Sequence, residues 1–233
     1  MGTIQGVYRT EEKYPISFVQ SAALYSALRT ALLPDKYNDP DGYMVRSVYF
    51  DNYSDQAYYD KLNGLENRAK VRLRVYSPDD AKVKLEIKKK IGTSQKKQSI
   101  IISRNEARAM INMDYAELLK NKDAEVILEK GIDLNSLRPV LMNQYKRSAF
   151  MHDINNIRIT IDKELYSSET DFDLFADNPV MAPATDYYEA LLEIKYDNFL
   201  FGWLKELLSS YGLNREAYSK YVFSRRLFEN YMA

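Results

Sequence analysis

From Lys70 to Tyr76, Val71, Leu73 and Val75 alternate with Lys70, Arg72 and Arg74; from Lys82 to Lys90, Val83, Leu85 and Ile87 alternate with Lys84, Glu86 and Lys88. A period of two sends successive side chains to opposite faces, so both segments are predicted strands with one apolar and one charged face. The same alternation puts Arg9, Glu11 and Lys13 together in "YRTEEKY", and Tyr145 with Arg147 in "NQYKRSAF". It sets Arg158, Thr160 and Asp162 opposite Ile157, Ile159 and Ile161, and Glu193 and Lys195 opposite Leu192, Ile194 and Tyr196. "YMVRSVYFD" and "KKQSIIIS" read as further strands.

Helical spacing appears elsewhere. In "SFVQSAALYSALRTALLP", Val19, Ala22, Ala23, Leu24, Ala27, Leu28 and Leu32 make the apolar side of an amphipathic helix that Pro34 ends. "SDQAYYDKLNG" is a short helix with Ser54 as N-cap and Gly64 just past its end. Ser103, with Glu106 three residues on, is a capping-box pattern that opens a helical stretch to about Asp133. Two helices close the chain: "FLFGWLKELLSSYG", with Trp203, Leu204, Leu207 and Leu208 in the core, and "REAYSKYVFSRRLFENYM". Strands stand on both sides of the middle helices, which predicts one α+β domain over residues 1–233.

Composition narrows the chemistry. With 33 basic and 33 acidic residues the formal net charge is +0, so an anion site must be a local concentration of charge. Nucleic acid is accordingly not an expected partner. The absence of cysteine excludes thiol catalysis and cysteine-held metals, and His152, the single histidine, excludes a multi-histidine site. No apolar run reaches the roughly 18–20 residues that cross a bilayer, and the first residues lack signal-peptide features, so a cytoplasmic location is expected. The loop "PDKYNDPDG" lacks the spacing and terminal Glu of an EF-hand.

Mixed Lys and Glu on a sheet are ordinary where one face meets water. Arginine is less so, and Arg72, Arg74, Arg147 and Arg158 all lie on these charged faces; its planar fork suits bidentate phosphate recognition. If such strands closed into a barrel, their charged faces would meet inside, where cations need polyanions or carboxylates. Polyphosphate with a divalent cation answers both needs, with Glu11, Glu86, Asp162 and Glu193 as the available carboxylates.

"EEKY", "VRSVYFDN" followed by "YYDKLNG", "KVRLRVY", "LEIKKK", "RPVLMNQYKRSAF", "RITIDKEL", "LLEIKYD" and "SKYVFSR" occur in this order over nearly the whole chain. Together they resemble the VTC domain, the polyphosphate polymerase domain of vacuolar transporter chaperones. That domain lies within the triphosphate tunnel metalloenzyme superfamily, which also holds the CYTH triphosphatases and cyclases. The resemblance implies an antiparallel β-barrel tunnel of about eight strands with flanking helices and a C-terminal helix. It also implies catalytic basic residues at Lys13, Arg72, Arg74, Lys88, Arg147 and Arg158, and a metal-binding Glu193. Lys61, where arginine is usual in eukaryotic members, and Lys220 match two further cations of the family. Arg9, Tyr145 and Lys195 join Lys61 and Lys220 as expected substrate-binding residues, and Glu11, Glu86 and Asp162 join Glu193 as expected metal carboxylates.

The activity so implied is transfer of the terminal phosphoryl group of ATP to a growing polyphosphate chain, with Mn²⁺ or Mg²⁺ as cofactor. Two alternatives stand beside it. One is hydrolysis of tripolyphosphate or a nucleoside triphosphate in the same tunnel; the other is polyphosphate binding without turnover. Arg9 stands where the CYTH pattern Glu-x-Glu-x-Lys has its first glutamate, which points towards the polymerase branch. A membrane partner is compatible with this reading, although the chain itself shows no spanning segment.

Overall fold

A computed structural model describes residues 9–39, 41–92, 94–128, 136–184 and 190–232. The long strands are β1 (Arg9–Ile16), β3 (Tyr43–Asp51), β4 (Arg68–Val75), β5 (Lys82–Ile91), β6 (Ser94–Ser103), β7 (Arg138–His152), β8 (Ile157–Ser168) and β10 (Ala190–Asp197). Two short strands, β2 (Leu33–Pro34) and β9 (Ala182–Pro183), pair with β7 and β8. The helices are α1 (Phe18–Ala31), α2 (Gln56–Leu62), α3 (Arg104–Ile111), α4 (Tyr115–Leu118), α5 (Lys122–Leu128), α6 (Gly202–Ser209) and α7 (Lys220–Met232). The helix expected to run to Asp133 and the strand expected from Tyr187 extend into 129–135 and 185–189, outside the described residues.

Hydrogen bonding orders the strands β1-β10-β8-β7-β3-β4-β5-β6, in one ten-stranded sheet whose registered pairs are antiparallel. Among the described residues nothing pairs β1 with β6, so the sheet is open where a closed barrel was expected. Alternation along a strand says which side chains share a face; it carries no information on whether the two terminal strands find each other.

The chain divides into two compact units: residues 1–44, 145–165 and 185–218, and residues 45–144, 166–184 and 219–233. In the first, Ile157, Ile159 and Ile161 of β8, Leu192 and Ile194 of β10 and Ile16 of β1 form one buried layer. Leu24 and Leu28 of α1 and Leu204 and Leu208 of α6 cover it. Ser17 caps α1 through a reciprocal capping box with Gln20. The face of α1 differs from expectation: Ser21, Leu24 and Leu28 are buried, while Val19 is 74% exposed and Ala22 and Ala23 face outward. Spacings of three and four residues keep 21, 24 and 28 on one stripe, from which 19 points away. Trp203 is likewise half-exposed, stacked on Phe201, while its neighbours Leu204 and Leu208 enter the core.

In the second unit, Val71, Leu73 and Val75 of β4 and Val83, Leu85 and Ile87 of β5 are buried as their alternation demands. The capping box of Ser103 and Glu106 opens α3 as expected. The start of α2 does not follow the pattern, because its N-cap is Asp55, in a left-handed conformation without a capping bond, rather than Ser54. The carboxylate of Asp51 takes the free N–H groups of Ala57 and Tyr58 at 2.9 and 3.0 Å, so a residue at the end of β3 does the capping. The last helix begins at Lys220, not at Arg215.

Leu28→Ala is expected to destabilise the protein by about 2–5 kcal/mol in urea unfolding, and Val19→Ala by less than about 0.5 kcal/mol. Equal losses for the two would contradict the observed orientation of α1.

Candidate phosphate-binding faces

The polar face of β4, β5 and β6 is built in cross-strand rows. Lys70 pairs with Lys88 and Lys88 with Lys97; Arg72 pairs with Glu86; Arg74 pairs with Lys84; Arg68 pairs with Lys90. Eight cations thus share this face with one carboxylate, in a protein of zero formal charge. Like charges directly opposite each other on a sheet are destabilising, so the arrangement suits an anionic ligand better than it suits the empty fold.

Glu86 is the internal counter-ion. Its Oε2 lies 2.7 Å from Arg72 Nε and 3.7 Å from Arg74 Nε, and its Oε1 pairs with Lys97. Burial alone would raise its pKa, but Arg72, Arg74 and Lys97 outweigh burial and hold it at about 2, against an ordinary 4.5. Arg74 also donates to Ser47 at 3.3 Å, and Arg72 to the Tyr49 hydroxyl at 3.4 Å. Burial opposes ionisation of Tyr49, yet the two guanidiniums prevail and its pKa falls. Lys70 lies over the rings of Tyr221 and Tyr49, at 4.6 and 5.5 Å from their centroids. Tyr221 donates to Asp51 at 2.7 Å, and burial together with that carboxylate raises its pKa. The carboxylate that caps α2 therefore also fixes α7 beside Lys70. Lys61 sits in the last turn of α2 and Lys220 opens α7.

In the other unit charge is shared more evenly. Lys13 pairs across the strands with Glu193, and Glu11 with Lys195. Lys13 Nζ lies 2.9 Å from Glu11 and 3.7 Å from Glu193, while Lys195 contacts Glu193 and stands 3.9 Å from Glu11. Two carboxylates and two ammonium groups thus alternate. Lys13 also donates to the Tyr218 carbonyl at 3.2 Å. Arg147 grips Asp162 through Nε and a terminal nitrogen at 2.6 and 2.7 Å, and donates to the Tyr145 hydroxyl at 3.3 Å. Burial works against the Arg147 cation, but Asp162 more than compensates and its pKa rises. Arg158 pairs with Asp35 at 2.9 Å and donates to Tyr43 at 3.3 Å. Arg9 is largely exposed, 3.9 Å from Asp197. Gly42, at φ +82°, lets its loop press on β7: a Cβ there would stand 3.0 Å from the Arg147 carbonyl.

The expected carboxylates do not converge, and among the described residues no group of three acidic or histidine side chains could by itself hold a metal ion. Glu86 and Asp162 are each committed to guanidinium groups. Glu11 and Glu193 share their lysines, and the cross-strand neighbour of Glu193, Thr160, has a buried hydroxyl without a hydrogen-bond partner. Hard oxygen donors of this kind fit Mg²⁺ or Mn²⁺, which are held by one or two carboxylates together with water and substrate phosphate.

Sequence reasoning missed Lys97, Tyr49, Asp35 and Asn143. Lys97 follows from the alternation of β6 once its register against β5 is known, whereas Asp35 and Asn143 leave no local signal. The strand faces and the sheet order define a phosphate-handling tunnel-type fold. Solved structures agree on that fold: a candidate adenylate cyclase from Bacillus halodurans is 14% identical, with a TM-score of 0.53 over 90% of this chain and 92% of its own. A candidate adenylyl cyclase from Hippeastrum, described as having a dominant triphosphatase activity, is 12% identical, with a TM-score of 0.58 over 95% of this chain and 96% of its own. The VTC domain matches residues 8–228, and the chain belongs to that family. Vacuolar transporter chaperone complex subunit 4 of Trypanosoma cruzi is 26% identical and that of Trypanosoma brucei brucei 27%, each over 220 residues and 78% of this chain. The matched region is 28% of the length of either relative. No helix among the described residues is long and apolar enough to cross a membrane.

The folded pKa of Glu86 is depressed, so its contribution to stability is complete above the ordinary 4.5 and is lost as pH falls towards about 2. Glu86→Gln is expected to lose on the order of 3 kcal/mol at neutral pH. The difference from wild type should shrink between pH 4.5 and 2 when urea unfolding is followed across that range. A difference independent of pH would contradict this role.

Proposed function

We propose that the chain is a metal-dependent polyphosphate polymerase that transfers the terminal phosphoryl group of ATP to a growing polyphosphate chain. The observation that carries this reading is the face of β4 to β6, where eight cations meet one carboxylate; membership of the VTC domain family supports it. Both homologous subunits are named for a vacuolar transporter chaperone complex, which supports a condensed-phosphate substrate and a larger assembly, with a membrane partner, around this domain.

A terminal oxygen of the acceptor polyphosphate attacks the γ-phosphorus of ATP. The bond from that phosphorus to the β,γ-bridging oxygen breaks, ADP leaves, and the polymer gains one phosphate. No protein nucleophile is needed, so catalysis consists of alignment and of neutralising charge on the phosphoryl oxygens. Arg72, Arg74 and Lys88 do this on the face of β4 and β5, with Lys61 and Lys220 as further binding cations. In the other unit Lys13, Arg147 and Arg158 have the same role, and Arg9, Lys195 and Tyr145 support binding. Glu193 with Glu11 would hold Mn²⁺ or Mg²⁺, which supplies further charge neutralisation when bound. Glu86 and Asp162 act here as counter-ions that hold their arginines in place.

Purified protein incubated with ATP and Mn²⁺ is expected to yield long polyphosphate on a gel. Arg72→Ala should lower synthesis at least about tenfold, as loss of a charge-assisted phosphate contact implies, and Glu193→Gln should weaken the dependence on metal. Orthophosphate alone would make the chain a triphosphatase like the activity described for the Hippeastrum protein, and tight binding without turnover would make it a polyphosphate-binding module.

A further inference from the structure

Asn143, in the middle of β7, is fully buried, and neither its Nδ2 nor its Oδ1 has a hydrogen-bond partner among the described residues. A carboxamide buried in that state has given up water without replacement, and the ligand-free fold carries the cost. Alternation along β7 puts Asn143 on the face of Leu141, which packs with Tyr49 and Tyr221. The amide stands close enough to the Tyr49 phenol to favour its ionised form, although no hydrogen bond of acceptable geometry joins them. The same hydroxyl accepts from Arg72 at 3.4 Å, near the outer limit for such a bond, while Arg72 Nε holds Glu86 at 2.7 Å. Arg72 is thus firmly held on one side and weakly on the other.

We propose that Asn143 is a positioning residue for Arg72 that acts through Tyr49: when a phosphoryl group draws the guanidinium off the phenol, the Tyr49 hydroxyl turns its proton onto Asn143 Oδ1. The amide oxygen is satisfied only in the liganded state, so part of the ligand affinity comes from relieving a buried unpaired group. This rests on the reading that the face of β4 to β6 takes condensed phosphate. A purely structural amide would behave in the opposite way, being needed most when no ligand is present.

The test is calorimetric binding of inorganic triphosphate, with thermal melting of the ligand-free protein, for wild type, Asn143→Leu, Asn143→Asp and Tyr49→Phe, and for Asn143→Leu combined with Tyr49→Phe. Asn143→Leu, similar in volume and without polar atoms, is expected to melt no lower than wild type and to bind triphosphate on the order of tenfold more weakly. Asn143→Asp should bind more weakly still, because it adds an anion near Arg72. In the Tyr49→Phe background the effect of Asn143→Leu on binding should vanish, since the relay is already broken. A lower melting temperature for Asn143→Leu, unchanged affinity, or an equal loss of affinity in the Tyr49→Phe background would overturn the proposal. If wild type binds no triphosphate, the condensed-phosphate reading falls and this inference with it; if wild type binds and Asn143→Leu binds equally well, this inference alone falls.

Discussion

The second unit depends on one carboxylate. Lys70, Lys88 and Lys97 stand in a row across three strands, and Arg72 and Arg74 stand in adjoining rows, where cross-strand repulsion would weaken the sheet without a counter-ion. Glu86 is that counter-ion, buried, ionised and bound to both arginines and to Lys97. It neutralises one charge among eight, enough to hold the arginines in register and too little to satisfy the face. What remains is a preorganised excess of positive charge, which polyanion binding requires and which a fold optimised for stability would avoid.

The first unit meets the same constraint differently. Glu11 and Glu193 alternate with Lys13 and Lys195, and Arg147 and Arg158 each have a carboxylate partner in Asp162 and Asp35. Near-neutral local charge suits a region that can exchange an ammonium for a metal ion without large repulsion. The hydrophobic layers bear on both cases only indirectly: they fix the opposite face of each strand, and the period of two then delivers every charged side chain to the working face.

That alternation makes the strand faces legible in the amino-acid order itself. Val71, Leu73 and Val75 are buried and Arg72 and Arg74 lie on the polar face, as the pattern demands. The Ser103 capping box is equally legible, because both partners lie within one turn. Where local pattern misleads, the deciding contact is distant along the chain. Ser54 is the better local cap for α2, but Asp51 reaches its free N–H groups from β3. Glu86 reads as a metal ligand until strand register brings Lys97 to it. Asp35, which holds Arg158, lies in a loop with no periodicity. Closure of the sheet, and the unpartnered state of Asn143 and Thr160, depend on three-dimensional surroundings that alternation does not encode.

The most direct measurement is a crystal structure with a non-hydrolysable triphosphate and Mn²⁺, with anomalous scattering used to locate the metal. Phosphoryl oxygens within hydrogen-bond distance of Arg72 and Arg74, and a manganese peak at Glu193, are the expected result. Triphosphate bound elsewhere, with Arg72 and Arg74 unchanged on Glu86 and Tyr49, would contradict the assignment of this face.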